Sequence, residues 1–235
     1  VVLLKKALPI FIGLIIVLPF LLIPRRIIIN KFSCSNQFGP CSEAVLNLLN
    51  DANTGNLNLL KAKQNVENVL ESEVLIKSFA TQYKFPDVLE VFVFERKSAY
   101  ALMSGNESIL LIDKEGYVIS ITDETGLPNL KDETLTLDVG EKVDDQRLFA
   151  LEVYLVTYSN YQIEEANLYS DRLVIELDTN LTVIFPLEGS RDVLLGSLRL
   201  ILAELNNENI NTDAAERGRI RTIDLRFENP VLKYK

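Results

Sequence analysis

Ala7 to Pro24 form an unbroken run of 18 uncharged, mostly apolar residues, set between Lys5-Lys6 and Arg25-Arg26. As a helix rising about 1.5 Å per residue, the run is about 27 Å long, close to the hydrocarbon thickness of a bilayer. A cleaved signal peptide has a shorter apolar core and a small-x-small cleavage site. Here the run ends in Leu21-Leu22-Ile23-Pro24-Arg25-Arg26-Ile27-Ile28-Ile29, with bulky residues throughout. Pro9, Pro19 and Pro24 would break a packed soluble helix but are tolerated near membrane ends. The sequence therefore predicts a retained single-pass anchor over 7–24, a short cytoplasmic tail over 1–6, and folded domains beyond the membrane. Lys5-Lys6 and Arg25-Arg26 nearly balance, so orientation follows from the short lead. Such an anchor leaves its N-terminus in the cytoplasm, and a long following domain translocates largely regardless of charge.

Past the span stand 22 basic and 33 acidic residues, a net charge of −11. An acidic surface disfavours a phosphate backbone, so nucleic acid is not an expected partner. The length suits one or two domains, each large enough to bury its own core. The chain contains no His. That removes the Ser-His-Asp and Cys-His arrangements and the commonest metal ligand. No C-x-x-C pair, Walker loop or G-x-G-x-x-G fingerprint is present. The adjacent pairs Lys77-Ser78 and Lys97-Ser98 fall in strand-like runs, where neighbouring side chains point to opposite faces. No catalytic residue, cofactor, metal site or small-molecule substrate is expected. Cys34 and Cys41 lie just past the span. Outside the cell such a pair forms a disulfide; the alternative is two reduced, half-buried small residues.

The pattern along the chain is that of an α+β protein. Ile27–Phe32 reads as a first strand, and Ser42 is placed to cap a helix with Val45, Leu48 and Leu49 on one face. A second helix is expected over Leu59–Leu70. Strands over Leu75–Lys84 and Val88–Ala101 follow, joined around Phe85-Pro86-Asp87. In the latter, Leu89, Val91 and Val93 alternate with Glu90, Phe92 and Phe94, so both faces are candidates for cover. Ser104-Gly105-Asn106 marks a domain boundary.

Beyond it, Ser108–Asp113 and Tyr117–Thr122 flank Lys114-Glu115-Gly116 as a hairpin, and Glu133–Leu137 is a further strand candidate. Asp144 is placed to cap a helix, and Ile163–Tyr169, Leu173–Leu177 and Leu181–Pro186 read as an antiparallel meander. A helix over Arg191–Leu205, a polar stretch over Asn206–Arg217 and a final strand over Arg219–Phe227 complete the chain. In that strand Ile223, Leu225 and Phe227 share one face, while Thr222, Asp224 and Arg226 take the other. Arg217, Arg219, Arg221 and Arg226 concentrate positive charge in an otherwise acidic domain, suited to steering an acidic partner segment.

Several segments stand in a telling order. They are the N-terminal anchor, the run Phe85-Pro86-Asp87-Val88-Leu89-Glu90-Val91-Phe92-Val93-Phe94-Glu95-Arg96-Lys97, and the hairpin Leu110-Leu111-Ile112-Asp113 to Gly116-Tyr117-Val118. Last come the helix Leu194–Leu205 and Ile223-Asp224-Leu225-Arg226-Phe227-Glu228-Asn229-Pro230. Together they resemble the FtsQ/DivIB family of bacterial cell-division proteins, with Ser98 where the family usually has a proline or small residue. The resemblance implies a POTRA-like β-α-α-β-β domain over 27–103. A mixed antiparallel β domain with two helices would span 104–235.

It further implies a non-enzymatic scaffold in the cell (inner) membrane at the division septum. Its distal β domain would recruit FtsB-like and FtsL-like coiled-coil membrane partners. The matching positions for that contact are Arg226, Phe227, Glu228 and Asn229. Two other readings stand beside it: a POTRA-type module that engages unfolded or secreted chains, and a tethered cell-wall hydrolase.

Overall fold

The structure is a computed structural model that describes residues 26–52, 55, 57–177, 181–211 and 220–234. The expected tail over 1–6 and span over 7–24 lie outside the described residues. Among the described residues, no helix is long and apolar enough to cross a membrane. The fold is α+β, with four helices and mixed sheets among the described residues. The chain divides into two units, Val1–Arg96 and Lys97–Lys235.

In the first unit, β1 (Ile28–Ile29) pairs with β4 (Leu57–Asn58), apart from a four-stranded sheet. That sheet has the order β3-β2-β6-β5, built from β2 (Lys31–Asn36), β3 (Gly39–Pro40), β5 (Ile76–Lys84) and β6 (Val88–Glu95). Strand β2 runs parallel to β6, and β5 runs antiparallel to it. Helices α1 (Glu43–Ala52) and α2 (Leu59–Glu71) connect the early strands to the late ones. Ser42 Oγ accepts from the Val45 N–H at 3.5 Å, and Asn58 Oδ1 accepts from the Lys61 N–H at 2.9 Å. Each side chain thereby satisfies a first-turn donor that the helix itself leaves open.

Leu89, Val91 and Val93 of β6 are buried in one core with Val45 and Leu49 of α1 and Ala62, Val66 and Leu70 of α2. Full burial of each of the larger side chains contributes about 1.5–3 kcal/mol relative to exposure. The other face of β6 is not covered as the alternation allowed: Phe92 and Phe94 are exposed. The first apolar run is also divided. Asn30 breaks it by donating its N–H to the Asp87 carbonyl at 3.0 Å and its amide to the Asp87 carboxylate at 2.9 Å. Cys34 of β2 and Cys41 are joined as a disulfide, with Cα atoms 5.5 Å apart.

The division between units falls before β7, not at Ser104. Strand β6 ends at Glu95, and the Arg96 N–H donates to the Leu75 carbonyl at 2.7 Å. Strand β7 (Ser98–Ser104) then pairs with β8 (Ile109–Asp113) and β10 (Asn129–Asp132) of the second unit. Ser104-Gly105-Asn106 is a tight turn within that unit. The Ser104 N–H donates to the Ser108 carbonyl and the Glu107 N–H to the Ser104 carbonyl, both at 3.0 Å.

The second unit is a nine-stranded sheet. Its order is β15-β14-β13-β12-β11-β10-β7-β8-β9, where β9 is Val118–Thr122, β11 Ile163–Leu168, β12 Leu173–Leu177, β13 Leu181–Phe185, β14 Ile220–Asp224 and β15 Val231–Tyr234. Hairpin β8–β9 and meander β11–β12–β13 are antiparallel. The parallel pairs are β10 with β7, β10 with β11, and β13 with β14. Parallel neighbours need a crossover. Helix α3 (Asp145–Asn160) links β10 to β11, and α4 (Arg191–Asn211) links β13 to β14.

Asp144 caps α3, accepting from the Arg147 N–H at 2.7 Å. Ala150, Leu151 and Val153 of α3 and Leu198 of α4 share a core with Leu102, Leu173, Val183, Phe185 and Ile223 of the sheet. Two expectations shift. Glu133–Leu137 is not a strand, because Asp132 turns the chain by accepting from the Thr134 N–H at 3.0 Å and hydroxyl at 2.7 Å. Helix α4 also continues past Leu205 into the polar stretch.

Candidate partner-docking site

The final strand expected over Arg219–Phe227 is shorter, β14 ending at Asp224, and a loop then leads to a further strand, β15. Strand β14 is interior, paired with β13 on one side and β15 on the other. Ile223 and Leu225 are buried, as their shared face requires. Phe227 departs from that face and is 56% exposed, while Asp224 is 1% exposed, so it does not lie on a solvated outer face. The cause is local. The Asp224 carboxylate accepts the Arg226 N–H at 3.2 Å and both arms of its guanidinium, Nε at 3.0 Å and Nη2 at 2.8 Å. A carboxylate that bonds the backbone two residues on bends the chain, and the strand pattern stops there.

Residues 226–229, the four positions carried by the resemblance, therefore sit together in the loop between β14 and β15, and all are exposed. Arg226 Nη1 also lies 3.6 Å from Asp171 Oδ2, and its guanidinium lies 6.0 Å from the Phe227 ring centroid, at the outer reach of a cation–π contact. The hydrogen bonds from Arg226 hold the Asp224 carboxyl below its usual range, against the opposing effect of burial. Arg226 is thus a positioning group whose charge is met locally by two carboxylates. Of the other arginines, Arg221 is exposed on β14, while Arg217 and Arg219 lie outside the described residues.

Strand β15 escaped the sequence reading. Its signal is a turn, Glu228-Asn229-Pro230, followed by Val231-Leu232-Lys233-Tyr234, a short run of β-formers. It closes one end of the sheet order, and among the described residues no strand pairs with its outer edge. Val231 and Tyr234 are exposed there, the latter by 62%, and Lys233 is exposed between them. Phe227 and β15 thus make an apolar, cation-bearing margin that no strand among the described residues joins, the form of surface that accepts an added strand.

Elsewhere in this unit, a hollow of about 490 Å³ is lined in part by Asn129, Lys131, Tyr154, Tyr158 and Glu165. Lys131 and Glu165 form an ion pair at 2.7 Å. Burial pushes the Tyr154 hydroxyl up to about 12, and it donates to the Asn129 carbonyl at 3.0 Å. That phenol stays protonated at neutral pH and ties α3 to the sheet. Among the described residues, no three His, Cys, Asp or Glu side chains are grouped to hold a metal ion. No protein-family model and no curated protein matches the chain.

Proposed function

We propose that this chain is a membrane-tethered, non-enzymatic scaffold of the bacterial division machinery, of the FtsQ/DivIB kind. Its second unit captures FtsB-like and FtsL-like partners outside the membrane and thereby helps control septal cell-wall synthesis by other proteins. The observation that carries this reading is the margin built from Phe227 and β15. A partner segment adding itself beside β15 gains main-chain hydrogen bonds, and its apolar side chains cover Phe227, Val231 and Tyr234. Arg221 and Lys233 favour a partner of acidic character, in a chain whose net charge is −9.

Three further features support the reading. Apart from the two-residue strands β1, β3 and β4, the first unit has the β-α-α-β-β succession and the β2-β6-β5 order that suit a POTRA-like module. The bonded Cys34 and Cys41 suit an oxidising compartment. The apolar run over 7–24 provides the tether and can add helix contacts within the bilayer. Depletion of the chain from growing cells tests the proposal. Filaments lacking septa are the expected result, and normal septation with altered envelope composition would point to another role.

A further inference from the structure

The end of the first unit at which the chain enters is unusually apolar and basic. Ile28 of β1 stands opposite Asn58, and the Leu59 N–H donates to the Ile27 carbonyl at 2.9 Å, so the first turn of α2, with Leu60, lies beside β1. The N–H groups of Asn30 and Lys31 both donate to the Asp87 carbonyl, at 3.0 and 3.4 Å, which brings the turn Phe85-Pro86-Asp87 to the same end. Ile28 is 50% exposed, Leu60 47% and Phe85 86%. Arg26, Lys31, Lys61 and Lys84 are exposed in these same segments; the acid among them, Asp87, is engaged by the Asn30 amide, and Lys84 lies 3.8 Å from Glu90 of β6. A protein of net charge −9 thus gathers four cations around three bare apolar side chains.

We propose that this end of the first unit rests on the anionic lipid surface from which the anchor emerges, with the Phe85 ring seated among the headgroups. The inference depends on reading residues 7–24 as a membrane span. Three residues lie between Pro24 and Ile28, four steps along the chain and a reach of at most about 14 Å. The headgroup layer of one leaflet is about 5–8 Å deep, so the tether holds this end within a short distance of the bilayer. Aromatic rings concentrate at that level, and juxtamembrane Lys and Arg are drawn to anionic leaflets. Phe38 provides the internal contrast. It is 72% exposed but lies past the far end of β2, roughly 20 Å along the strand from Lys31.

The chain contains no Trp, so Phe85→Trp or Phe38→Trp each installs a single fluorophore. Each full-chain variant is reconstituted into vesicles of equimolar phosphatidylcholine and phosphatidylglycerol and then washed with alkaline carbonate. With acyl-chain-brominated lipid present, Phe85→Trp should emit at shorter wavelength and lose most of its intensity. Phe38→Trp should stay water-exposed and bright. In vesicles of phosphatidylcholine alone the quenching of Phe85→Trp should weaken, and undiminished quenching would overturn the anionic-lipid preference. If the chain survives the wash yet both variants behave alike, the docking is wrong and the anchor stands. If the chain washes off, anchor and docking fall together.

Discussion

Replacing Phe227 with Ala should remove most of the partner affinity while leaving the second unit folded. A phenylalanine presents about 200 Å² of surface. With 56% of it exposed, about 110 Å² is open to a partner. At about 25 cal/mol per Å², covering it fully contributes up to about 2.8 kcal/mol, or about 100-fold in Kd. The portion already packed limits the folding cost of the substitution to about 1 kcal/mol. Titration calorimetry of the full chain in nanodiscs, with the extracytoplasmic segments of FtsB-like and FtsL-like partners, measures the first quantity at fixed salt. A urea midpoint measures the second. An unchanged Kd together with an unchanged midpoint would refute the placing of Phe227 at the interface.

Three other outcomes follow from the geometry. The Asp224 carboxyl sits below its ordinary 3.8 in the folded chain, so its pairing with Arg226 stabilises the fold above about pH 4 and is lost as pH falls through the lowered value. The urea-midpoint gap between wild type and Asp224→Asn should be full near neutrality and close in strong acid; a gap that persists there would contradict this. Gly105→Ala places a Cβ 2.8 Å from the Glu133 carbonyl oxygen, and a loss of about 1–3 kcal/mol should appear as a lowered Tm. Reduction of Cys34–Cys41, a bridge across seven positions, should cost about 2.5 kcal/mol in the urea midpoint, with two thiols alkylated only after reductant is added.

Elements whose signals are local were legible in the sequence. The β8–β9 hairpin was marked by Gly116, which adopts a φ of 91°, and by the Asp113 Oδ1 that accepts the Glu115 and Tyr117 N–H groups at 2.9 Å. Helix α3 was marked by its Asp144 cap, and α1 by Ser42. What failed depended on which sheet a strand joins. The run from Val88 to Ala101 has one continuous pattern, yet it is split at Arg96 because β6 and β7 pair into different sheets. Ser104-Gly105-Asn106 carries the same residues whether it links domains or turns a hairpin. The antiparallel pairing of β7 with β8 across it distinguishes the two.

At the candidate site, the positions Arg226 to Asn229 were named, but not their setting. Asp224 reads as an outward residue by alternation. It is buried because Arg226, two residues on, supplies the donors its carboxylate requires. That turn ends β14, frees Phe227 and leaves room for β15, the strand at this end of the sheet order.

The most direct test places a photoreactive amino acid at Phe227 in the membrane-bound chain and irradiates dividing cells. Covalent products with FtsB-like or FtsL-like division proteins are the expected result, and none when the probe is moved to Phe38 in the first unit. Equal products from both positions, or products only with unrelated envelope proteins, would contradict it.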